Sequence, residues 1–170
     1  GLSGTYQSAC IAAEELKKRF SERTVAVVDS LAASMGLGLM AYYASCRIKE
    51  GMNLAETVSW LESNKLKVNH WFTVDDLHFL RRGGRVTGAA AFVGSLLSIK
   101  PVLHTDDEGK LIPMEKTRGR AKALRGLAEK LEQQGESING QTIFISHGDC
   151  LEDAEFVAGE IRRRFGTEDI

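Results

Sequence analysis

Thr24-Val25-Ala26-Val27-Val28-Asp29-Ser30 is followed shortly by Ala33-Ser34-Met35-Gly36-Leu37-Gly38. The first, β-branched run is too short for a helix and predicts a buried strand, and the second opens an apolar helix that runs to about Lys49. A strand that leads through Asp, Ser and Gly into a helix predicts an α/β domain, and open α/β sheets bind ligands at this edge. Ser34 and Gly36 are therefore candidate ligand contacts. The glycines equally suit close helix packing, and both interpretations stay open.

The start of the chain has the composition of a helix N-terminus. Gly1 to Thr5 are small, and from Tyr6 the apolar and charged residues recur with helical spacing to about Phe20. Ser3 or Thr5 is therefore the predicted N-cap. The unpaired N–H groups of a helix start, with the positive end of its dipole, suit a phosphate or a carboxylate. The alternative is that Ser3 only caps its own helix.

Local signals predict the remaining elements. Asn53 and Glu56 form a capping-box start for a helix that ends near Asn64. Gly83 or Gly84 suits the left-handed C-cap of a short preceding helix. The other predicted elements are strands at Val68–Val74 and Thr142–Ser146, a hairpin of Ile99–Leu103 with Lys110–Lys116, and helices at Asp75–Leu80, Ala89–Leu97, Gly119–Gln134 and Leu151–Phe165.

Size and composition limit the classes of protein to consider. With 170 residues, of which 43% are hydrophobic, the chain is long enough for a single domain over residues 1–170 and short for two. A net charge of -1 argues against a general nucleic-acid binder, and no stretch approaches a membrane span. The 3 cysteines include no CxxC pair, so neither a disulfide framework nor a zinc site is indicated. Cys10 and Cys46 fall on apolar helical faces, which is typical of free thiols in a reducing cytoplasm.

Two cationic clusters interrupt this balanced charge. Arg81-Arg82-Gly83-Gly84-Arg85 places three arginines around a glycine pair. Such a cluster is either a solvated helix end favoured by the dipole or a contact for an anion or an acidic partner. The second cluster, at the start of a predicted helix, comprises Lys116, Arg118, Arg120 and Lys122. Because cations there oppose the helix dipole, it indicates an external anionic partner.

Catalytic motifs are sparse. The 4 histidines have no metal-ligand spacing, and neither HExxH, GxSxG, GxGxxG nor a phosphate-binding glycine loop occurs. His147, after the predicted strand Thr142–Ser146, is the histidine placed where sites usually lie, and a structural role is its alternative. We predict no catalytic residue, no metal site and no cofactor, which favours a binding protein over an enzyme.

Five stretches in order resemble one protein family. They begin with Gly-Leu-Ser-Gly-Thr-Tyr-Gln-Ser-Ala at 1–9 and continue at 28–38, 80–86, 94–103 and 118–124. Together they resemble the DegV family of bacterial fatty-acid-binding proteins, whose members include the acyl-binding subunits of fatty acid kinase. The resemblance implies a fold of two α/β lobes, and this chain is similar mainly to the C-terminal lobe, a mixed β-sheet packed with helices. The family's first lobe and closing segment are missing from these residues, so we expect a fragment.

The resemblance also implies where a ligand is held. The family buries one fatty acid between its lobes, with the tail in an apolar tunnel and the carboxylate held by hydroxyl groups. The serine of the family's Leu-Ser-Gly-Thr motif matches Ser3. The expected ligand-binding residues are Ser3, Gly4, Thr5, Ser34, Gly36, Phe92 and Leu96, with Leu37, Met40 and Leu97 also along the tail.

A partner kinase is the second implication. Family members with such a partner present the bound acyl group for phosphorylation, and we expect Arg82, Arg85, Arg118 and Arg120 to contact it. The expected partners are then a fatty acid and a fatty acid kinase subunit, with no nucleic acid and no stable membrane insertion. Two alternatives remain. One is a phosphotransfer enzyme component, since a related fold occurs in dihydroxyacetone kinase, and the other is an interaction module without a ligand.

Overall fold

The computed structural model describes residues 2–86 and 99–170. Within these ranges six α-helices accompany a three-stranded sheet, and the predicted α/β class is confirmed. The helices are α1 (Thr5–Arg19), α2 (Ser34–Lys49), α3 (Leu54–Asn64), α4 (His78–Arg82), α5 (Arg120–Gln134) and α6 (Leu151–Phe165), and the strands are β1 (Trp71–Thr73), β2 (Ile99–Thr105) and β3 (Leu111–Arg118). Short 3₁₀ helices lie at Lys65–Lys67 and Ile138–Gly140. The predicted helix at Ala89–Leu97 lies outside the described residues.

The sheet has β2 at its centre, with β1 on one side and β3 on the other. Both ladders are antiparallel. An isolated bridge between Val86 and Leu111 is parallel, so the pairing is mixed. The predicted β2–β3 hairpin is confirmed. Its turn is closed by the Asp106 carboxylate, which accepts the N–H of Lys110 at 2.8 Å. Gly109, with φ at +72°, supplies the left-handed conformation that such a turn needs.

Two predicted strands, at residues 24–28 and 142–146, are wrong. Neither segment belongs to a strand ladder in the described part of the chain. A β-branched run forms a strand only where a neighbouring strand completes its hydrogen bonds. The N–H of Ile143 instead donates to the carbonyl of Asp169 at 2.9 Å, while Ile143 and Ile145 pack on α5 and α6. The strand predicted at 68–74 shortens to β1 for the same reason, because it pairs with β2 at 71–73.

Helix ends follow their local signals in two of three cases. Before α3, the Asn53 side chain accepts the N–H of Glu56 at 3.0 Å, and the Glu56 carboxylate accepts the N–H of Asn53 at 2.8 Å. The predicted capping box is thereby confirmed. The prediction for α1 is wrong, because its N-cap is Gly4 and no side chain caps it. The Ser3 hydroxyl turns back to accept the N–H of Thr5 at 3.3 Å.

The end of α4 confirms a left-handed glycine. Gly84, with φ at +70°, follows the C-cap Gly83. Two hydrogen bonds of 2.9 Å close the helix, one from the N–H of Arg85 to the carbonyl of Leu80 and one from the N–H of Gly84 to the carbonyl of Arg81. This pair of bonds is the Schellman motif, and it holds the arginine-rich segment in a fixed turn.

Two apolar clusters stabilise the fold. The first joins the sheet to the segment around α4 and is centred on Leu77, Val86, Leu103 and Leu111. The second lies between α5 and α6 and is centred on Leu124, Ala128, Val157 and Ile161. Leu111 of the first cluster and Leu124, Val157 and Ile161 of the second also line a common cavity.

Replacing Leu103 by alanine should lower the free energy of unfolding by about 2–5 kcal/mol, because a fully buried leucine leaves a cavity when it is truncated. Leu103 is 0% exposed, whereas Leu66 is 53% exposed and provides the matched control, Leu66→Ala. Urea denaturation followed by circular dichroism measures both variants. Equal losses in the two variants would show that the first cluster does not limit stability.

Candidate functional site

A cavity of about 1120 Å³ lies between α2, α5, α6 and the segments 67–73 and 141–148. Small-molecule sites in proteins usually occupy about 300–1,000 Å³, so the space is large enough for a long ligand. Most of its wall is hydrocarbon. The side chains that contribute apolar surface include Leu39, Met40, Leu124, Leu127, Ile143 and Ile145. A wall of this kind favours an apolar ligand, because burying hydrocarbon there removes it from water.

Two hydroxyl groups meet at one part of the cavity wall. The Oγ atoms of Ser34 and Ser146 are 3.1 Å apart, which links the start of α2 to the segment before α6. Ser34 and the nearby Leu31 have φ of 47° and 51°, in the left-handed region that residues with a Cβ rarely adopt. Such strain persists only where the surrounding structure imposes it. Ser34 and Gly36, both predicted ligand contacts, line the cavity.

His70 is a half-buried polar group of the cavity wall that lies against Gly36. Its backbone carbonyl accepts hydrogen bonds from Nδ1 of His104 at 2.8 Å and from the N–H of Thr105 at 3.3 Å. Its ring faces Gly36. Burial lowers the pKa of His70 below its ordinary value of 6.5, and the neighbouring His104 adds to the effect. The imidazole is therefore neutral near pH 7. Sequence reasoning missed His70, because a lone histidine beside a short strand carries no motif.

An ion-pair network lies beside the same cavity. Both the Nε and Nη2 atoms of Arg120 contact Asp153, at 2.8 and 2.7 Å. Arg120 Nη1 is 3.8 Å from Asp75, which also pairs with Lys100 at 2.8 Å. The hydrogen bond from Lys100 lowers the pKa of the exposed Asp75 carboxyl. Arg120 was expected to meet an external anion, and the structure gives it an anionic partner in the same chain.

His147 has a structural partner. Its Nδ1 accepts the N–H of Cys150 at 3.1 Å, immediately before α6. This bond satisfies one of the N–H groups that a helix start leaves unpaired. The structural interpretation of His147 therefore has direct support, although the residue also lines the cavity.

The start of α1 lies outside the cavity lining. Ser3, Gly4 and Thr5 are exposed, and the Ser3 hydroxyl donates to that of Thr5 at 2.9 Å. Leu2, however, packs against the cluster that contains Leu111, and Leu111 contributes to the cavity wall. The structure thus separates the five predicted head-group residues into one set at the α1 start and another at the α2 start.

The remaining predicted contacts differ in position. Met40 is buried and lines the cavity, whereas Leu37 is exposed and does not. Phe92, Leu96 and Leu97 lie outside the described residues. Within the described residues, α2, α5 and α6 contribute to the cavity wall.

The first arginine cluster is fully on the surface. Arg82 lies over the ring of Phe79, with its guanidinium carbon 5.0 Å from the ring centroid, and Phe79 is 73% exposed. Arg85 is exposed at the Schellman turn, and Arg118 is exposed at the end of β3. An exposed aromatic ring beside arginine has the composition of a protein-interaction contact.

Residues 1–170 match the family model described as an uncharacterised protein of the DegV family. The chain belongs to the DegV family. A DegV domain-containing protein of Clostridium perfringens is 48% identical over 169 residues, which are 99% of this chain and 58% of that protein. The chain thus spans little more than half the length of its relatives.

Solved DegV structures share the fold. A DegV family protein from Eubacterium eligens loaded with heptadecanoic acid aligns with a TM-score of 0.88 at 27% identity, over 99% of this chain and 60% of that one. A DegV family protein from Thermus thermophilus, whose structure is titled for fatty acid binding, aligns with a TM-score of 0.68 at 40% identity, over 80% of this chain and 46% of that one. Among the described helices of the present chain, none has the length and apolarity to cross a membrane.

His70 should make stability depend on pH. Its pKa is lowered in the folded chain but keeps the ordinary value of 6.5 when unfolded, so the unfolded state takes up the proton first. The free energy of unfolding should therefore fall as pH decreases below about 6.5 and stop falling once the folded histidine is also protonated.

The measurement is urea denaturation from pH 7.5 to pH 5 for wild type, His70→Gln and the exposed-site control His78→Gln. The first variant should lose part of the pH dependence and the control should keep it. Identical pH profiles for all three proteins would show that His70 is not the group responsible.

Proposed function

We propose that this chain binds a long-chain fatty acid whose tail occupies the cavity between α2, α5 and α6. The observation that carries the proposal is the large, mainly hydrocarbon-lined cavity in a DegV-family chain. Fatty acids named with the Eubacterium eligens and Thermus thermophilus proteins support the same ligand class. Each methylene buried in such a wall contributes about 0.8 kcal/mol, so a long acyl chain binds without any polar contact along its length. The chain then acts as a lipid-binding protein and not as an enzyme.

The carboxylate belongs, in this proposal, at the start of α1. The helix has no side-chain cap, so N–H groups of its first turn and the positive end of its dipole face outward beside the Ser3 hydroxyl. Gly4 leaves the approach open, because a methyl group there would meet no atom of residues 2–86 and 99–170 within 4 Å. Leu2 connects this helix start to the apolar cluster whose Leu111 lines the cavity. Those contacts support a path from the head group to the tail.

Replacing Ser3 by alanine should weaken fatty acid binding by about 1–3 kcal/mol, which is roughly 5- to 150-fold in Kd, because a carboxylate loses a hydrogen-bond donor. Ser8→Ala, an exposed serine on the same helix, is the control. Isothermal titration of delipidated protein with a long-chain fatty acid measures both. An unchanged Kd for Ser3→Ala would show that the carboxylate does not bind at the start of α1.

The acyl ligand is presented, we further propose, to a cytoplasmic fatty acid kinase. The family resemblance of the motifs supports such a partner, and the surface formed by Phe79, Arg82 and Arg85 has the composition to contact it. Arg118 is a further exposed cation for the same role. Arg120 contributes less directly, because Asp153 already occupies its guanidinium.

Reversing the charge of Arg82 and Arg85 to glutamate should slow association with the kinase about tenfold or more and flatten its salt dependence, because steering by exposed charges is screened by ions. Lys49→Glu, at the exposed end of α2, changes a cation elsewhere and serves as the control. Surface plasmon resonance at two salt concentrations measures both. Equal changes in the association rate for the two reversals would show that the arginine surface acts only through the overall charge of the protein and is not a specific contact.

The ligand itself is tested by native mass spectrometry of the chain purified from bacterial cells, followed by solvent extraction. The Clostridium perfringens relative, purified in parallel, is the positive control. We expect a stoichiometric mass addition that is released as a fatty acid. A relative that carries fatty acid beside a chain that carries none, even after addition of the free acid, would overturn the proposal for this chain.

A further inference from the structure

Gly36 and His70 are in closer contact than any other glycine–side-chain pair that lines the cavity. A methyl group placed on Gly36 would overlap the imidazole ring of His70, so the ring occupies the space that a side chain at position 36 would need. Gly36 lies in the first turn of α2 with an ordinary backbone conformation, since it is not among the residues with positive φ. The backbone conformation suits alanine, and the three heavy atoms nearest to such a methyl group all belong to the His70 ring.

Hydrogen bonds to β2 restrain the backbone of His70 against a shift that would relieve such an overlap. Its carbonyl accepts hydrogen bonds from the N–H of Thr105 and from Nδ1 of His104, both on β2. The next residue, Trp71, stacks on the His104 ring with a centroid distance of 4.5 Å and donates from Nε1 to Gln134 on α5 at 2.8 Å. Because the His70 carbonyl and Trp71 are both held, rotation of the imidazole is the simplest way to accommodate a side chain at position 36.

Rotation of that ring changes the cavity, because Gly36 and His70 both belong to its wall. The ring nitrogens accept or donate no hydrogen bond to another described residue, so no protein partner within residues 2–86 and 99–170 fixes the ring in place. What keeps it against α2 is the absence of a side chain on Gly36. The position of the ring therefore sets the width of the cavity at this point.

We propose that the Gly36–His70 contact determines which acyl chain lengths the cavity accepts, with His70 as the specificity-determining residue and Gly36 as the residue that positions it. Glycine lets the imidazole lie back against α2 and leaves the cavity open to a long tail. A larger residue at position 36 turns the ring into the cavity and shortens the tail that fits. This inference rests on the proposed fatty acid binding and adds to it the structural basis of chain-length selection.

The test is a double-mutant cycle of Gly36→Ala and His70→Ala in the complete chain. Delipidated proteins are titrated with dodecanoic, hexadecanoic and octadecanoic acids, and the readout is the ratio of the octadecanoic to the dodecanoic Kd. Gly126→Ala is the control, because Gly126 lies within α5 and a methyl group there would meet none of the described residues within 4 Å. Thermal melts establish that each variant is folded.

Gly36→Ala should shift the Kd ratio by about tenfold against the longest acid, in the range that a single methylene produces in a close-fitting apolar pocket. The same substitution in the His70→Ala background should leave the ratio unchanged, because no ring remains to be displaced. Gly126→Ala should match wild type.

Three outcomes separate the claims. If wild type binds and Gly36→Ala leaves the ratio unchanged, or shifts it equally with and without His70, the chain-length inference is wrong and the proposed function stands. If wild type binds none of the acids, the proposed function fails and this inference fails with it. If Gly36→Ala does not fold, His70→Phe places a larger ring against Gly36, and a ratio unaffected by that ring would also overturn the inference.

Discussion

The central position of β2 is the constraint on which the rest of the structure depends. It pairs with β1 through Trp71–His104 and with β3 through Val102–Glu115, and Val102 and Leu103 are fully buried. Because β1 is only three residues long, it has no stability apart from this pairing. The pairing fixes the main chain at His70 and Trp71, and with it one wall of the cavity. The geometry of the candidate site thus depends on hydrogen bonds made on a strand that contributes little to the site itself.

The cavity follows from the way the two apolar clusters divide the molecule. The cluster around Leu103 holds α4 and β3 to the sheet, whereas the cluster around Leu124 holds α5 to α6. Lys130 of α5 lies over the Trp71 ring at 5.0 Å and pairs with Glu115 of β3, so α5 is tied to the sheet near its C-terminal end. At the other end Arg120 ties it to Asp153 of α6. Between these two anchored ends, the apolar side chains Leu124, Leu127 and Leu131 of α5 face the cavity.

Sequence reasoning succeeded where the signal and its partner are close in the chain. The Asn53–Glu56 capping box, the Schellman turn at Gly84 and the hairpin at Asp106–Gly109 each close within six residues, so the local sequence determines them. It failed at residues 24–28 and 142–146, because hydrophobic pattern alone does not say whether a neighbouring strand is present. It also failed at the α1 cap, where Ser3 lies one residue too early and Gly4 takes the position.

The site was predictable only in part for the same physical reason. Ser34 and Gly36 were found because a strand-to-helix transition marks them in the sequence, although no strand forms there. The partners that give the wall its character are distant in sequence: Ser146 is 112 residues from Ser34, and Asp153 is 33 residues from Arg120. The DegV resemblance pointed to a fatty acid but not to His70, whose relevance appears only when β1 brings it against α2.

Charge is distributed in a way that suits a neutral tail and a charged surface. Arg120 and Lys130, two cations that line the cavity, are paired with Asp153 and Glu115, and burial keeps His70 uncharged near pH 7. An unpaired charge in the wall would oppose a hydrocarbon ligand, since the charge would lose its hydration when the ligand displaced water. Arg82 and Arg85 are exposed instead at the end of α4 and the turn after it, where solvent screens their charges. The described residues thus combine a mainly apolar cavity with an exposed cluster of arginines.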